Sequence, residues 1–270
     1  EIYNLNNIML LDFNTRRNLE LTETMREKKK KGSLLWVLDK TLTSMGGRMI
    51  RKWIEEPLLE VDAINHRLNL VEILKEDILL RSELEENLKM IYDLERLSAK
   101  ISYGTANPRD LIALKNSLAH VPNIIKLLSN TNNPLFENII SNIDSHNNIK
   151  DLIEKSILDD PSLNIKEGNI IKMGYNKDID ELKSASKEGK SWIASLEAQE
   201  RNNTGIKSLK VGFNKVFGYF IEVTKSNLAM VPETYIRKQT LSNCERYITP
   251  ELKEIESKIL GSEEKAIVLE

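Results

Sequence analysis

Apolar residues recur at helical spacing through the first three quarters of the chain. Leu34, Leu35, Val37 and Leu38 follow Gly32-Ser33, and Ser33 is the expected N-cap. A second helix is expected from about Ser44, carrying Met45, Met49, Ile50 and Trp53 on one side. It should stop before Pro57, because a residue ahead of proline is pushed out of the helical region. A third opens at Val61-Asp62-Ala63-Ile64, with Asp62 as candidate cap and Leu68, Val71, Ile73 and Leu74 as core. Leu84, Leu88, Ile91, Leu94, Leu97 and Ile101 make a fourth stripe, and Pro108-Arg109-Asp110 opens a fifth through Leu111, Leu114 and Leu118. Ser129 to Pro134 reads as a loop. Short helices then continue to about Leu158, where Asp159-Asp160-Pro161 breaks the pattern.

Two longer stripes follow. Ile179, Leu182, Ser186, Gly189, Ile193 and Leu196 alternate steps of three and four in a helix from about Lys177 to Asn202. Leu252, Ile255, Ile259, Ser262, Ala266 and Leu269 do the same after Thr249-Pro250-Glu251, where threonine caps, proline suits the first helical position and glutamate favours the positive end of the dipole. Two such stripes predict a two-helix antiparallel arm. The second reaches Glu270 without a capping signal, as expected of a piece of a longer chain.

Between these helices the period changes to two. Leu209, Val211 and Phe213 alternate with Lys210, Gly212 and Asn214, and Phe217 to Thr224 is rich in β-formers. A turn at Asn214-Lys215-Val216 makes one hairpin. Tyr235 to Leu241 and Glu245 to Thr249, turned at Ser242-Asn243, make a second. The expected fold is mainly α: a multi-helix core, and two long antiparallel lever helices carrying a small antiparallel β unit at the tip. The expected segments are 1–180 for the helical core and start of the lever, 181–250 for the β unit with its flanking helix, and 251–270 for the returning helix. A four-stranded unit alone buries little, which suits contact better than a catalytic cavity.

Charge adds a location. The net charge of −2 is uneven: residues 200–249 hold eight Lys/Arg (201, 207, 210, 215, 225, 237, 238 and 246) against four Asp/Glu, and the remainder is acidic. A basic patch on an acidic body points to an anionic partner there. The run Arg26 to Lys31 is read as a solvated turn between a short extended segment and a helix. No run of 18 apolar residues exists, so no membrane span is expected. The N-terminus lacks the regions of a secretory signal, and a single cysteine, Cys244, suits a reducing cytoplasm. His66, His120 and His146 are scattered without metal-ligand spacing.

Catalytic patterns do not emerge. Gly189-Lys190-Ser191 imitates the end of a phosphate loop, but Ser184 stands where the first glycine is needed and the surroundings are helical. Carboxylates such as Asp159-Asp160 and Glu55-Glu56 are sequence neighbours whose side chains point apart. Arg246 beside Cys244 could lower the thiol pKa, yet a lone cysteine in a turn is more often inert. Tyr219, Phe220 and Tyr247 could stack on bases, but core packing is the commoner use.

Backbone binding fits better. Lys207, Lys210, Asn214 and Lys215 border the first hairpin, and Arg237, Lys238, Gln239, Thr240, Asn243 and Arg246 follow in the second. Lysine and arginine attract phosphates, while amides and hydroxyls add short-range bonds. Regular alternation would put Arg237 and Gln239 on one face and Lys238 and Thr240 on the other.

These residues carry a resemblance. Leu209-Lys-Val-Gly-Phe-Asn-Lys-Val-Phe-Gly-Tyr-Phe-Ile-Glu-Val-Thr224 and Tyr235-Ile-Arg-Lys-Gln-Thr-Leu-Ser-Asn-Cys-Glu-Arg-Tyr247, followed by Pro250-Glu-Leu-Lys253, resemble the clamp of the MutS family of bacterial DNA mismatch-repair proteins. Leu11 to Leu21, Met45-Gly-Gly-Arg-Met49, Asp93-Leu-Glu-Arg96 and Asn107-Pro-Arg-Asp110 resemble its core, in order along the whole chain. Where the family usually has Asn-Ala-Glu-Arg, Asn243-Cys244-Glu245-Arg246 stands here.

The resemblance implies the core, lever and clamp of such a protein, with the mismatch-reading domain N-terminal and the ATPase C-terminal to it. It implies duplex DNA as partner, held through the backbone without sequence preference. It also implies a cytoplasmic parent that dimerises and works with a MutL-like protein. ATP and magnesium would belong to the parent; no cofactor, metal or catalysis is expected within this stretch. The competing reading is a helical protein–protein scaffold whose basic tip docks an acidic partner. A nuclease-bearing branch of the family is disfavoured by the mismatch-type core motifs and by the lack of a nuclease motif.

Overall fold

A computed structural model describes residues 7–214 and 216–270. The chain divides into two compact units, Glu1–Asp159 and Asp160–Glu270.

Among the described residues the first unit is built from helices α1 (Phe13–Asn18), α2 (Leu34–Leu38), α3 (Ser44–Glu55), α4 (Val61–Glu76), α5 (Ile78–Lys89), α6 (Leu94–Ser102), α7 (Pro108–Asn130), α8 (Pro134–Ser141) and α9 (Asn147–Ser156). Short polar side chains set their starts: Ser33 accepts from Trp36 N at 3.2 Å, and Thr43 from Gly46 N at 3.0 Å. At α7 the cap is reciprocal, with Asp110 N donating to Asn107 Oδ1 at 2.9 Å and Asn107 N to Asp110 Oδ2 at 3.0 Å. Helix α7 is the central element, burying Leu118, Val121 and Leu128 with Phe136 of α8, Ile153 of α9, Leu80 of α5 and Leu97 of α6. Ser117 inside this core is satisfied, donating to Ala113 O at 2.8 Å and accepting from Tyr92 N at 3.0 Å.

Four local expectations change. Ahead of the basic run, where a short extended segment is expected, the chain forms the short helix α1, capped by Asp12, which accepts from Thr15 N at 2.6 Å. Asp62 is not a cap: Glu60 occupies that position without a side-chain bond, and Asp62 lies in the first turn of α4. Leu68 and Val71 are exposed, at 58% and 59%. Helix α4 carries a second apolar stripe, Leu70, Ile73 and Leu74, and that is the one half-buried in this unit. The stripe from Leu84 to Ile101 is two helices, because Asp93 accepts from Arg96 N and starts α6 afresh. The basic run from Arg26 lies in an exposed turn, as expected, with Lys29 paired to Glu27 at 2.9 Å and Lys30 to Asp39.

The second unit opens with a short turn at Ile165–Glu167 and continues through helix α10 (Lys177–Thr204), strands β1 (Lys210–Asn214), β2 (Gly218–Thr224), β3 (Ile236–Thr240) and β4 (Cys244–Ile248), and helix α11 (Pro250–Leu269). Thr249 caps α11, accepting from Leu252 N at 3.2 Å, with Pro250 in the first turn. The helices run antiparallel: Lys183 meets Glu270 at 2.5 Å, Ser186 meets Glu263 at 3.0 Å, and Gly189 lies against Ile259. The sheet order is β1-β2-β4-β3, with all neighbours antiparallel. It sits where α10 ends and α11 begins and shares one core with them: Ile193 and Leu196 of α10, Leu252 and Ile259 of α11, and Leu209, Ile221, Val223, Tyr235 and Tyr247 from the β segment. The sheet thus borrows the helix ends to bury what four short strands cannot bury alone. Among the described residues no helix is long and apolar enough to cross a membrane.

Candidate nucleic-acid interface

Among the described residues, five side-chain hydrogen bonds fix the β segment to its helices. On α10, Glu197 accepts from Val211 N at 2.8 Å, and Arg201 donates to Leu209 O at 2.6 Å while pairing with Glu197 at 2.7 Å. The edge strand β1 is thereby paired on a side that would otherwise be open. Also on α10, Glu200 accepts from the Tyr235 hydroxyl, which leads into β3. On α11, Glu256 accepts from Tyr219 N at 2.6 Å and from Lys253 Nζ at 2.7 Å, and Lys253 donates to Phe217 O at 3.1 Å. Gly218 has φ +77°, and any Cβ there would run into the Glu256 carboxylate, so the turn needs glycine on both counts.

The pairing sorts the candidate residues by face. One row crosses all four strands: Lys210 opposite Glu222, Glu222 opposite Arg246, and Arg246 opposite Gln239. Arg246 Nε donates to Glu222 Oε2 at 3.0 Å and its Nη1 to Gln239 Oε1 at 3.0 Å, and its guanidinium lies 4.2 Å from the Phe220 ring centre. Phe220 packs over Gly212, where an added Cβ would stand 2.7 Å from the ring. On the opposite face Glu245 is buried and gathers the Tyr247 hydroxyl at 2.6 Å, Thr240 Oγ1 at 3.5 Å and Arg237 Nη1 at 3.6 Å.

Regular alternation along β3 fails. Ile236 and Arg237 pair with Ile248 and Tyr247, but Gln239 and Thr240 pair with Arg246 and Glu245, so Lys238 is an extra, bulged residue. Arg237 therefore shares a face with Thr240, and Gln239 lies on the other. In an unbulged register Lys238 would oppose Arg246. The bulge replaces that like-charge pair with the Gln239–Arg246 and Thr240–Glu245 hydrogen bonds.

The remaining candidates lie at the ends and edges. Lys207 is exposed in the turn before β1, and Lys210 is exposed on that edge strand. Lys225 N donates to Asn243 O at 3.1 Å, and Ser208 Oγ bonds Thr224 Oγ1 at 3.1 Å, which sets Lys207, Asn243 and Lys225 at one end of the sheet. Asn214 is at the other end, its Oδ1 accepting from Val216 N at 2.8 Å; Lys215 is outside the described residues. Lys238 lines a recess of about 210 Å³ with Phe217, Phe220, Arg246, Ile248 and Lys253. Sequence reasoning left out Lys225, although it counted toward the charge excess, and Lys253, whose place beside the sheet depends on how α11 returns.

Aromatic and thiol groups serve packing. Phe220 and Tyr247 are buried, Tyr219 lies 4.8 Å from Phe213 between ring centres, and Tyr235 lies 5.9 Å from Tyr247. Burial, reinforced by Glu245, pushes the Tyr247 hydroxyl up to about 12. Burial and then Glu222 raise the Cys244 pKa, outweighing the lowering by Arg246, which agrees with the expectation of an inert thiol. Gly189, in the sequence that imitates a phosphate loop, packs directly against Ile259 of α11 and leaves no room for a Cβ. Among the described residues no group of three His, Cys, Asp or Glu is arranged to hold a metal ion.

The family described as MutS domain III matches residues 14–266. The DNA mismatch repair protein MutS of Alkaliphilus oremlandii is 65% identical over 269 residues, covering 100% of this chain and 31% of that protein. The same-named proteins of Alkaliphilus metalliredigens and Ruminiclostridium cellulolyticum are 62% and 60% identical, covering 100% and 99% of this chain and 31% of each relative. The chain thus spans about a third of the length of the relatives it matches. It belongs to the MutS domain III family.

Proposed function

We propose that this chain is the core, lever and clamp portion of a DNA mismatch-repair protein, and that its β unit holds duplex DNA through sequence-independent backbone contacts. The observation that carries this reading is a basic sheet fastened to the end of a helix pair, in a chain of the MutS domain III family. Lys207, Lys210 and Lys238 are exposed there, with Arg237, Thr240, Asn243, Asn214 and Lys225 around them. Exposed cations on a rigid support attract phosphates and release counterions without reading base edges. Lys215 remains in the proposed set on its sequence position alone. In this reading residues 1–180 form the core and lever base, 181–250 the clamp and its flanking helix, and 251–270 the returning lever.

The role is mechanical and non-catalytic. A helix the length of α10 or α11 turns a small rotation at its base into a large displacement of the sheet. The ATPase with its ATP and magnesium, the mismatch reader, the dimer contacts and the site for a MutL-like partner belong to the parent outside these residues, and the parent works in the cytoplasm. Alanine at Lys207, Lys210 and Lys238 together tests the assignment. Duplex affinity should fall for all sequences alike, with the slope of log affinity against log salt flattened by up to about 0.9 per lost contact. Unchanged affinity, or a loss confined to one sequence, overturns it.

A further inference from the structure

We infer that Arg246 is a positioning residue for Lys238 and not itself a phosphate contact, an inference that rests on the clamp reading above. The Arg246 charge is already neutralised by Glu222 at 3.0 Å. One face of its guanidinium is covered by Phe220, Gln239 occupies Nη1, and its side chain is only 23% exposed. A cation so enclosed has little left to offer a phosphate. Lys238, eight positions earlier, is exposed and has no ion-pair partner among the described residues.

The two are coupled through strand register. Gln239 sits opposite Arg246 only because Lys238 is bulged out of the β3–β4 ladder. The Arg246–Gln239 hydrogen bond therefore reports, and stabilises, the register in which Lys238 lies outside the β3–β4 ladder. In the alternative register Lys238 and Arg246 would oppose each other as like charges. Glu222 and Phe220 complete the device by fixing the guanidinium plane, which a lysine ammonium at the same position could not reproduce. Arg246 thus works on DNA through Lys238, and Glu222 and Gln239 work through Arg246.

A double-substitution cycle on the 270-residue chain separates this from direct contact. Affinity for a duplex would be measured across salt for R246K, K238M and the pair, with Q239L as a second, charge-neutral way of breaking the register. K238M should flatten the salt slope by about 0.9. R246K and Q239L should weaken binding several-fold although neither changes the net charge, and R246K should cost nothing further once K238M is present. Losses that add, or R246K binding as tightly as the parent, overturn the inference. Backbone amide exchange at Gln239 and Thr240 provides a readout that needs no DNA: it should speed up in R246K and Q239L. If the unsubstituted chain fails to bind duplex at low salt, the clamp reading falls, and the exchange rates alone decide the register claim, unchanged rates overturning it.

Discussion

Gly189 of α10 and Ile259 of α11 meet so closely that even a methyl group on Gly189 would overlap the isoleucine side chain. The residue that imitates part of a nucleotide-binding loop in the sequence is instead a close contact within the helix pair. The antiparallel arm depends on it, because Ser186–Glu263 and Lys190–Glu263 lie on the same side of the pair and require the helices to stay in contact.

G189A should therefore destabilise the second unit by about 1–3 kcal/mol, through overpacking. I259A alone should cost about 2–5 kcal/mol by leaving a cavity. In G189A/I259A the added methyl enters the space vacated by the isoleucine, so the double variant should be more stable than the sum of the singles implies. Denaturant unfolding measures all three, and strict additivity would show that the two side chains do not share this space.

Glu256 fastens the first hairpin to α11 by accepting from Tyr219 N and pairing with Lys253. E256A leaves that amide without its partner, at a cost of about 1–3 kcal/mol, and E256Q, which retains an acceptor oxygen, should cost less. Amide exchange at Tyr219 is the direct readout. It should accelerate in E256A, and an unchanged rate would mean that Glu256 does not hold the first hairpin.

In the first unit Arg48 donates to both Asp93 oxygens, at 2.7 and 2.8 Å, and also reaches Glu95. The Arg48 bonds hold the Asp93 carboxyl at about 2, below its ordinary 3.8. A folded-state pKa below the unfolded one contributes stability that is present above pH 4 and is lost as pH falls from about 4 towards 2. D93N keeps an oxygen to cap α6 but loses the ion pair. It should lower stability modestly at neutral pH and flatten the acid limb of the stability profile. An acid limb identical to that of the parent would assign the dependence to other carboxylates.

Much of the architecture could be read from periodicity because each signal was local. Thr249-Pro250-Glu251 marks the start of α11, the change from helical to alternating spacing at Leu209 marks the sheet, and Pro108-Arg109-Asp110 opens α7. The errors have a common cause: they depended on a choice that only tertiary contacts make. Leu68 and Leu74 both lie on apolar stripes of α4, and periodicity does not say which stripe finds a neighbour. Asp93 interrupts a stripe whose spacing continues across the break. At the interface, charge located the segment, but the faces were misassigned because the bulge at Lys238 depends on Arg246 and Glu245 across the ladder. The nine described candidate residues consequently divide into a row across the strands, a pair around Glu245, the bulged Lys238 and two sheet ends, with Arg246 engaged in structure and Lys225 added beside Asn243.

The most direct test of the central claim is the affinity of the 270-residue chain for several unrelated duplexes, measured from about 50 to 200 mM salt. The clamp account expects weak binding that is equal across sequences and falls linearly in log affinity against log salt, with a slope of several units set by the number of phosphates neutralised. No binding at the lowest salt, or strong discrimination among the duplexes, would contradict it.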